Sequence, residues 1–184
     1  YQAQYECSFA ASVVGSYWGK QLQIAKDEGR ICAVPYQPEV GVDTWWDLGV
    51  DNMAVWCTQD IGRELHVIDY LEGEGEGMPA YARALHARGY VYRSHNAPHD
   101  AQGREIGTGK SRIETAAALG LTFTLVPNLD VGDGIDAARS FLNRCWFDAA
   151  KTEAGRLALA SYRKQWDERR KTFFNQPRKD WSTH

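Results

Sequence analysis

Three apolar stretches rich in β-branched and aromatic residues follow one another closely in the first half of the chain. They cover residues 42–48, 53–59 and 64–71, and short polar segments at 49–52 and 60–62 separate them. Apolar runs bounded by glycine and aspartate are typical of β-strands. Because such short connections join antiparallel neighbours, the pattern predicts a three-stranded antiparallel meander.

The second half of the chain alternates between helical and strand patterns. Apolar residues recur at helical spacing, and they predict helices over residues 78–89, 111–120, 133–147 and 153–168. Strands are predicted over residues 90–95 and 121–127, and residues 169–184 are expected to form a polar loop. A helix directly before the strand at 90–95 suits a crossover into a parallel partner. The predicted fold class is α/β, with one mixed five-stranded sheet flanked by helices.

The start of the chain has a different character. Residues 8–29 carry apolar positions at helical spacing, and Gly29 is a plausible helix end. A proline-containing connector then leads to the first strand. We therefore expect residues 1–40 to be a helical lead-in, the tail of a preceding domain, and residues 41–184 to be the main domain.

The composition is that of an ordinary soluble domain, with 184 residues of which 43% are hydrophobic and 24% are charged. No apolar run is long enough to span a bilayer, and the first residues lack the features of a signal peptide. Four scattered cysteines without a CxxC pair are expected to be reduced thiols in a cytosolic protein, which disfavours a zinc site. They are Cys7, Cys32, Cys57 and Cys145.

The net charge of −3 gives no general attraction to nucleic acid, so a DNA-binding role would depend on local basic patches. Basic residues cluster between positions 104 and 112 and between positions 163 and 171. The simplest interpretation of the second cluster is a solvated helix face.

A GTGKS pentad at residues 107–111 resembles the end of a nucleotide-binding phosphate loop. That loop requires a glycine six residues before the lysine, at the end of a buried strand. The position six residues before Lys110 is Arg104, and the polar residues 98–102 do not form a buried apolar strand. A P-loop ATPase is therefore the weakest hypothesis for this chain.

Two acidic residues lie where predicted strands end. Asp47 is near the end of the strand at 42–48, and Asp100 follows the strand at 90–95. If these strands are parallel neighbours, both carboxylates emerge at one edge of the sheet. Crowded carboxylates raise each other's pKa, and a divalent cation relieves that cost. Hard oxygen ligands suit Mg²⁺ or Mn²⁺, and two such ions can promote phosphodiester hydrolysis without a nucleophilic side chain.

At this point the sequence resembles a known family. The segments WWDLGVDNMAVWCTQDIGRELHVIDYLEGEG and HNAPHDAQGREIGTGKSRIETAAALG look like the nuclease domain of the large terminase subunit of tailed bacteriophages. Residues 5–42 are similar to the junction between the ATPase motor and the nuclease of that protein. The resemblance implies an RNase H-like fold that cuts concatemeric double-stranded DNA during genome packaging, in the host cytoplasm.

The resemblance also assigns roles to residues. Asp47 and Asp100 are implied to be catalytic metal ligands, and a third acid is implied three residues after His184. Asp180 precedes His184 and is therefore not the matching acid. Other candidates for metal binding are Asp51, Asp69 and His184. Asp51 could equally be a turn former, and Asp69 could be a paired semi-buried acid.

His99 is expected to orient Asp100 or to contact phosphate, although a structural role is an equal alternative. Arg104, Lys110 and Arg112 are candidates for DNA phosphate contacts from a glycine-rich loop, although an exposed connector would have the same sequence. The implied partners are double-stranded DNA, the small terminase subunit, the portal protein and an upstream ATPase domain.

Two other functions remain open from the sequence. One is an RNase H or junction resolvase, since one fold hosts many functions. The other is a non-catalytic module that binds DNA or a partner protein, which the acidic net charge and the missing third acid favour.

Overall fold

The structure is a computed structural model that describes residues 15–49, 52–104 and 109–178. Within these ranges it has five α-helices, one 3-10 helix at His99–Gln102 and nine strands. The helices are α1 (Gly19–Asp27), α2 (Met78–Ala87), α3 (Arg112–Ala118), α4 (Val131–Leu142) and α5 (Glu153–Ser161). The strands are β1 (Ile31–Cys32), β2 (Val42–Leu48), β3 (Asn52–Ile61), β4 (Glu64–Glu74), β5 (Tyr92–Ala97), β6 (Phe123–Leu125), β7 (Cys145–Asp148), β8 (Lys164–Asp167) and β9 (Thr172–Pro177).

Seven strands form one mixed sheet in the order β1-β7-β4-β3-β2-β5-β6. The antiparallel meander of β2, β3 and β4 is confirmed, and β5 pairs with β2 in parallel as the preceding helix predicts. The α/β fold class is therefore confirmed. The sheet is wider than the five strands predicted, because β1 and β7 extend it beyond β4 through parallel pairing.

Each face of the sheet has its own apolar layer. One face, which we call the α2 face, carries Trp46, Val55 and Leu71, and it packs against the buried side of α2. The opposite face, which we call the α5 face, includes Trp56 and Tyr70, which contact α5. Since directly paired residues on neighbouring antiparallel strands share a face, the register of the meander decides which layer each side chain joins.

A β-bulge interrupts the alternation of side chains along β4. The register of β3 with β4 shifts between Cys57, which pairs with Asp69, and Thr58, which pairs with Val67. Ile68 is the extra residue, and the alternation of side chains resets across it. As a result the adjacent residues Ile68 and Asp69 both lie on the α2 face, whereas Val67 belongs to the apolar cluster on the other side of the sheet.

Three predicted elements near the end of the chain are wrong in part. The helix predicted over 133–147 ends at Leu142, and its last residues form β7. The helix predicted over 153–168 ends at Ser161, and its last residues contain β8. The polar loop predicted over 169–184 contains β9, which pairs with β8 in a separate two-stranded sheet. Short apolar runs cannot be assigned to helix or strand by periodicity alone, which explains these errors.

The lead-in packs closely on the main domain. Leu22 of α1 is fully buried in the apolar cluster that contains Phe147, and β1 pairs with β7 as an edge strand of the sheet. The backbone N–H of Tyr17 donates to the carbonyl of Tyr162 at 3.0 Å. Residues 15–40 are thus structurally continuous with the sheet. Of the helical pattern predicted over 8–29, Gly19–Asp27 form α1, and residues 8–14 lie outside the described residues.

Cys32, Cys57 and Cys145 are free thiols, as expected. Burial raises the pKa of both Cys57 and Cys145 to about 12, so these two thiols are poor nucleophiles at neutral pH.

In the part of the chain that the structure describes, no helix has the length and apolar character needed to cross a bilayer.

Gly155 of α5 marks the closest approach between that helix and the sheet. A Cβ atom there would lie 2.4 Å from the Trp56 ring and 2.8 Å from the Tyr70 ring. We expect Gly155→Ala to lower the free energy of unfolding, since overpacking costs about 1–3 kcal/mol, which outweighs a helix-propensity gain of about 1 kcal/mol. Urea denaturation followed by fluorescence measures the change.

Gly134 of α4 provides the matched control, because a Cβ there meets no atom within 4 Å. Gly134→Ala should therefore be neutral or stabilising by up to about 1 kcal/mol. Equal effects of the two substitutions would contradict the tight packing of α5 on the sheet.

Candidate active site

The carboxyl ends of β2 and β5 lie at the same edge of the sheet, because the two strands are adjacent and parallel. Asp47 is the next-to-last residue of β2 and is half-buried. Asp100 lies three residues beyond the end of β5, in the 3-10 helix, and is exposed. The structure therefore brings the two predicted acids to one edge, which we call the acidic edge.

The 3-10 helix holds Asp100 in a defined position. Ala101 is completely buried in the core of the α2 face, and its N–H donates to the carbonyl of Pro98 at 3.1 Å. The N–H of Gly103 donates to the carbonyl of Asp100 at 2.9 Å. With Ala101 fixed inside, the neighbouring Asp100 faces solvent at the acidic edge.

Side-chain contacts reinforce the pairing of β2 with β5. The guanidinium of Arg93 on β5 forms two hydrogen bonds with the Asp43 carboxylate on β2, and the Ser94 hydroxyl donates to the same carboxylate at 2.7 Å. Burial alone would raise the pKa of Asp43, but these hydrogen bonds and the charge of Arg93 lower it below its usual value. Asp43 is thus a structural acid that fastens the two strands.

A second contact between these strands involves His95. The Trp46 indole N–H donates to the Thr44 hydroxyl at 2.8 Å, and that hydroxyl lies 2.7 Å from Nδ1 of His95. The Thr44 hydroxyl can then donate its own hydrogen to Nδ1 of His95. Nδ1 can accept this hydrogen bond only when it carries no proton. Burial is the main cause that lowers the pKa of His95, which favours the neutral ring.

Glu72 is an acid near the edge that the sequence did not reveal. Asp47 pairs with Ala54, and Ala54 pairs with Glu72, so the three side chains lie in one row on the α5 face. The Tyr70 hydroxyl donates to the Glu72 carboxylate at 2.9 Å. Burial chiefly, and then this carboxylate, raise the pKa of Tyr70, which keeps the phenol protonated as a donor.

In the sequence, Glu72 begins the EGEGEG run, which has the composition of a turn. Its relation to Asp47 depends on the register of two strand pairs, and no local pattern encodes that register. The only available signal was the expectation of a meander, which places β4 two strands away from β2.

Asp69 belongs to the other side of the sheet. It pairs with Cys57 and lies on the α2 face, opposite to Asp47. Its carboxylate accepts a hydrogen bond from Arg88 at 2.6 Å and another from the Tyr90 hydroxyl at 3.2 Å. Of the two roles considered for Asp69, the structure supports the paired semi-buried acid and separates it from the acidic edge.

The three basic residues proposed to contact DNA have different surroundings. The Arg112 guanidinium donates to the backbone carbonyl of Leu48, the residue after Asp47, and so ties the start of α3 to the end of β2. Arg104 and Lys110 are exposed, and both help to lower the pKa of Glu114 after its hydrogen bonds with Ser111. Phosphate contact by these residues stays a prediction.

The structure gives less information on the other predicted site residues. Asp51, Asp180 and His184 lie outside the described residues. His99 is exposed, and within the described ranges it forms no hydrogen bond with Asp100, so its orienting role stays a prediction. The segment before the GTGKS pentad is the 3-10 helix rather than a buried strand, in agreement with the argument against a phosphate loop.

The donor atoms at the acidic edge suit a hard divalent cation, because they are carboxylate oxygens. Among the residues described, no three His, Cys, Asp or Glu side chains are grouped closely enough to hold a metal ion. Asp47 and Asp100 therefore fit two members of a carboxylate set, with Glu72 in the row of Asp47 as a further candidate.

No protein-family model matches the chain, and no curated protein matches it in sequence. Several solved structures, however, are similar to this chain in fold. The nuclease domain of the P22 large terminase superposes with a TM-score of 0.58 at 15% identity, covering 81% of each chain. The large terminase nuclease domain of bacteriophage SPP1, solved with bound Mn, gives 0.54 at 13% identity, covering 79% of this chain and 78% of that one.

The chain has the fold of a large-terminase nuclease domain. The resemblance inferred from the DLG and PHD segments is thereby confirmed at the level of fold. The large terminase of the thermophilic bacteriophage D6E is also similar, with a TM-score of 0.60 at 16% identity over 82% of this chain. This chain spans only 38% of the length of the D6E protein.

Substitution of Asp69 separates a structural role from a metal-binding one. We expect Asp69→Asn to lower the free energy of unfolding by about 1–3 kcal/mol, because it leaves Arg88 without its carboxylate partner. Mn²⁺ affinity, measured by calorimetry, should stay unchanged. Asp136→Asn, which alters an exposed pair with Arg139, is the control and should have an effect near zero. A loss of Mn²⁺ affinity with unchanged stability would instead place Asp69 at the metal site.

His95 should make stability depend on pH. Its pKa is lower in the folded chain than the value of about 6.5 in the unfolded chain. As pH falls through about 6.5, the unfolded chain therefore binds the proton first, and the free energy of unfolding decreases until the folded pKa is passed. Denaturant titrations at pH 7.5 and below should reveal this decrease.

The matched pair of variants for that measurement is His95→Gln and His86→Gln, since His86 is an exposed residue of α2. The decrease should shrink most in the His95 variant and only slightly in the His86 variant, because repulsion by His86 is the smaller cause of the lowered pKa of His95. An identical pH dependence in wild type and His95→Gln would show that the ring is not held neutral.

Proposed function

We propose that this chain is a metal-dependent endonuclease that cuts concatemeric double-stranded viral DNA during genome packaging. The observation that carries the proposal is the parallel pairing of β2 with β5, which brings Asp47 and Asp100 to one edge of the sheet. The fold shared with large-terminase nuclease domains gives that edge its context.

Asp47 and Asp100 are the residues proposed to hold Mg²⁺ or Mn²⁺, in a site for two ions. Such ions, when bound, activate a water molecule and stabilise the leaving oxygen of a phosphodiester. The binding of Mn by the SPP1 nuclease domain supports a divalent cation here. Glu72, held by the Tyr70 hydroxyl, adds negative charge on the same face and is a candidate to bind the ions or their water.

The remaining residues of the site have positioning roles in this proposal. Arg112 fixes the end of β2 through the Leu48 carbonyl, and with it the place of Asp47. Arg104 and Lys110 lie on the loop beside the 3-10 helix and would contact the phosphate backbone, which positions a duplex without reading its sequence. Low sequence preference in cleavage follows from this arrangement.

The larger assembly is part of the proposal. Structures of the D6E large terminase contain ADP or ATP-γ-S, and this chain covers about two fifths of that protein. We propose that an ATPase domain precedes the nuclease domain, and that the small terminase subunit and the portal protein are partners in the host cytoplasm.

Cleavage of supercoiled plasmid in the presence of Mn²⁺ tests the proposed function. The chain, together with native sequence that follows His184, should convert plasmid to linear or smeared product. Asp47→Asn and Asp100→Asn should each reduce the rate at least about 100-fold. Both should also weaken Mn²⁺ binding measured by calorimetry, whereas Asp136→Asn on the exposed side of α4 should change neither.

Equal cleavage by wild type and Asp47→Asn would refute the proposed site. Preferential cleavage of RNA–DNA hybrids or four-way junctions would favour a cellular RNase H or resolvase activity instead. Mn²⁺-independent DNA binding without any cutting would identify a non-catalytic module.

A further inference from the structure

The β8–β9 hairpin stands apart from the seven-stranded sheet as a second, two-stranded sheet. Its base is fixed to the start of the described chain: the N–H of Lys164 donates to the carbonyl of Gly15 at 2.9 Å. The Phe173 ring covers Gly15 so closely that a Cβ there would lie 2.6 Å from it. Contacts with Gly15 thus hold the hairpin from both of its strands, and residues 168–171 form the turn that joins them, which we call the tip.

The tip has a preformed turn. The Asp167 carboxylate accepts hydrogen bonds from the backbone N–H groups of Arg169 at 2.9 Å and Arg170 at 3.1 Å. Lys171 completes the turn with a φ of 49°, in the left-handed region. Local hydrogen bonds therefore fix a backbone that displays three consecutive basic side chains, and little ordering of the loop is needed on binding.

These cations are available to a ligand. Arg169, Arg170 and Lys171 are all exposed, and the side chain of Arg170 is 81% exposed. Its contact with Asp167 is long, at 3.9 Å between Nε and Oδ2, and ion pairs in water of that kind are weak. A stronger anion could replace this contact at small cost.

The charge of the hairpin opposes that of the rest of the chain. Between residues 163 and 178 there are six basic and two acidic residues, a net charge of +4. Since the whole chain carries −3, the rest carries −7. Residues 163–178, which comprise the hairpin and its flanking residues, therefore favour long-range attraction of a polyanion more than the remaining chain does as a whole.

The shape of the hairpin also suits nucleic acid. A two-stranded ribbon is narrow enough to enter the major groove of a duplex. Trp166 and Phe174 are 43% and 42% exposed, so the ribbon offers apolar surface beside its cations. An acidic protein surface would be attracted by the same charges, but the consecutive cations at a narrow tip match the regular spacing of phosphates better.

We propose that the tip of the β8–β9 hairpin, through Arg169, Arg170 and Lys171, binds the phosphate backbone of the DNA duplex that the acidic edge cuts. This inference rests on the proposed function for the identity of the substrate. It adds a DNA contact outside the glycine-rich loop and gives the acidic chain a means of capturing its substrate.

The test is DNA binding by fluorescence anisotropy in EDTA, where no metal-dependent cleavage occurs. The triple variant Arg169→Gln/Arg170→Gln/Lys171→Gln should bind a labelled duplex at least about tenfold more weakly near 0.1 M salt. The slope of log Kobs against log[salt] should become shallower by about 2–3, as expected for three lost phosphate contacts.

The control is Lys20→Gln/Lys26→Gln/Arg83→Gln, which removes the same charge from exposed positions on α1 and α2. It should keep nearly the wild-type affinity and slope. Thermal denaturation should be similar for both variants, since the hairpin tip contributes nothing to either apolar cluster.

Three outcomes would overturn the proposal: no DNA binding by the wild-type chain, unchanged binding by the hairpin variant, or equal losses in both variants. Unchanged binding would direct attention to an acidic protein partner for the hairpin. DNA binding that depends on the hairpin, without cleavage that depends on Asp47, would refute the nuclease function and support the hairpin contact. Cleavage that depends on Asp47, without DNA binding that depends on the hairpin, would refute the hairpin contact and support the nuclease function.

Discussion

The parallel pairing of β2 with β5 is the constraint on which the candidate site depends. Two parallel neighbouring strands have their carboxyl ends at one edge of the sheet, so Asp47 and Asp100, more than fifty positions apart in sequence, lie at the same edge. The Asp43–Arg93 ion pair and the contact between Thr44 and His95 fasten this pairing from both strands. These two contacts hold β2 and β5 together, and with them the strand ends that carry Asp47 and Asp100.

The sequence predicts those parts of the molecule whose signals are local. β2 has the predicted limits, and α2 is followed by a strand parallel to β2, because a helix of that length favours a crossover. The strand β7 was missed since Cys145 continues the helical spacing of α4. The strand β8 was missed since Trp166 continues the helical spacing of α5, and β9 was missed since the residues after 168 are mostly polar.

The site shows the same division. The placement of Asp47 and Asp100 at one edge of the sheet could be predicted because each lies near the end of a strand signal, and it required only one assumption about strand order. The sequence could not show which of Asp69 and Glu72 lies on the same face as Asp47. The face that each occupies depends on the register of β4 with β3. Register is a property of paired strands, and a single sequence records it only weakly.

The bulge at Ile68 has a consequence for how this strand can change in evolution. Ile68 is the one residue by which β4 exceeds β3 between the pairs Thr58–Val67 and Cys57–Asp69, so its loss would leave both pairs, and the faces of Asp69 and Glu72, unchanged. Loss of a residue between Asp69 and Glu72 would instead move Glu72 out of the row of Asp47. A change in the length of β4 is therefore compatible with the candidate site at the bulge, but not between the bulge and Glu72.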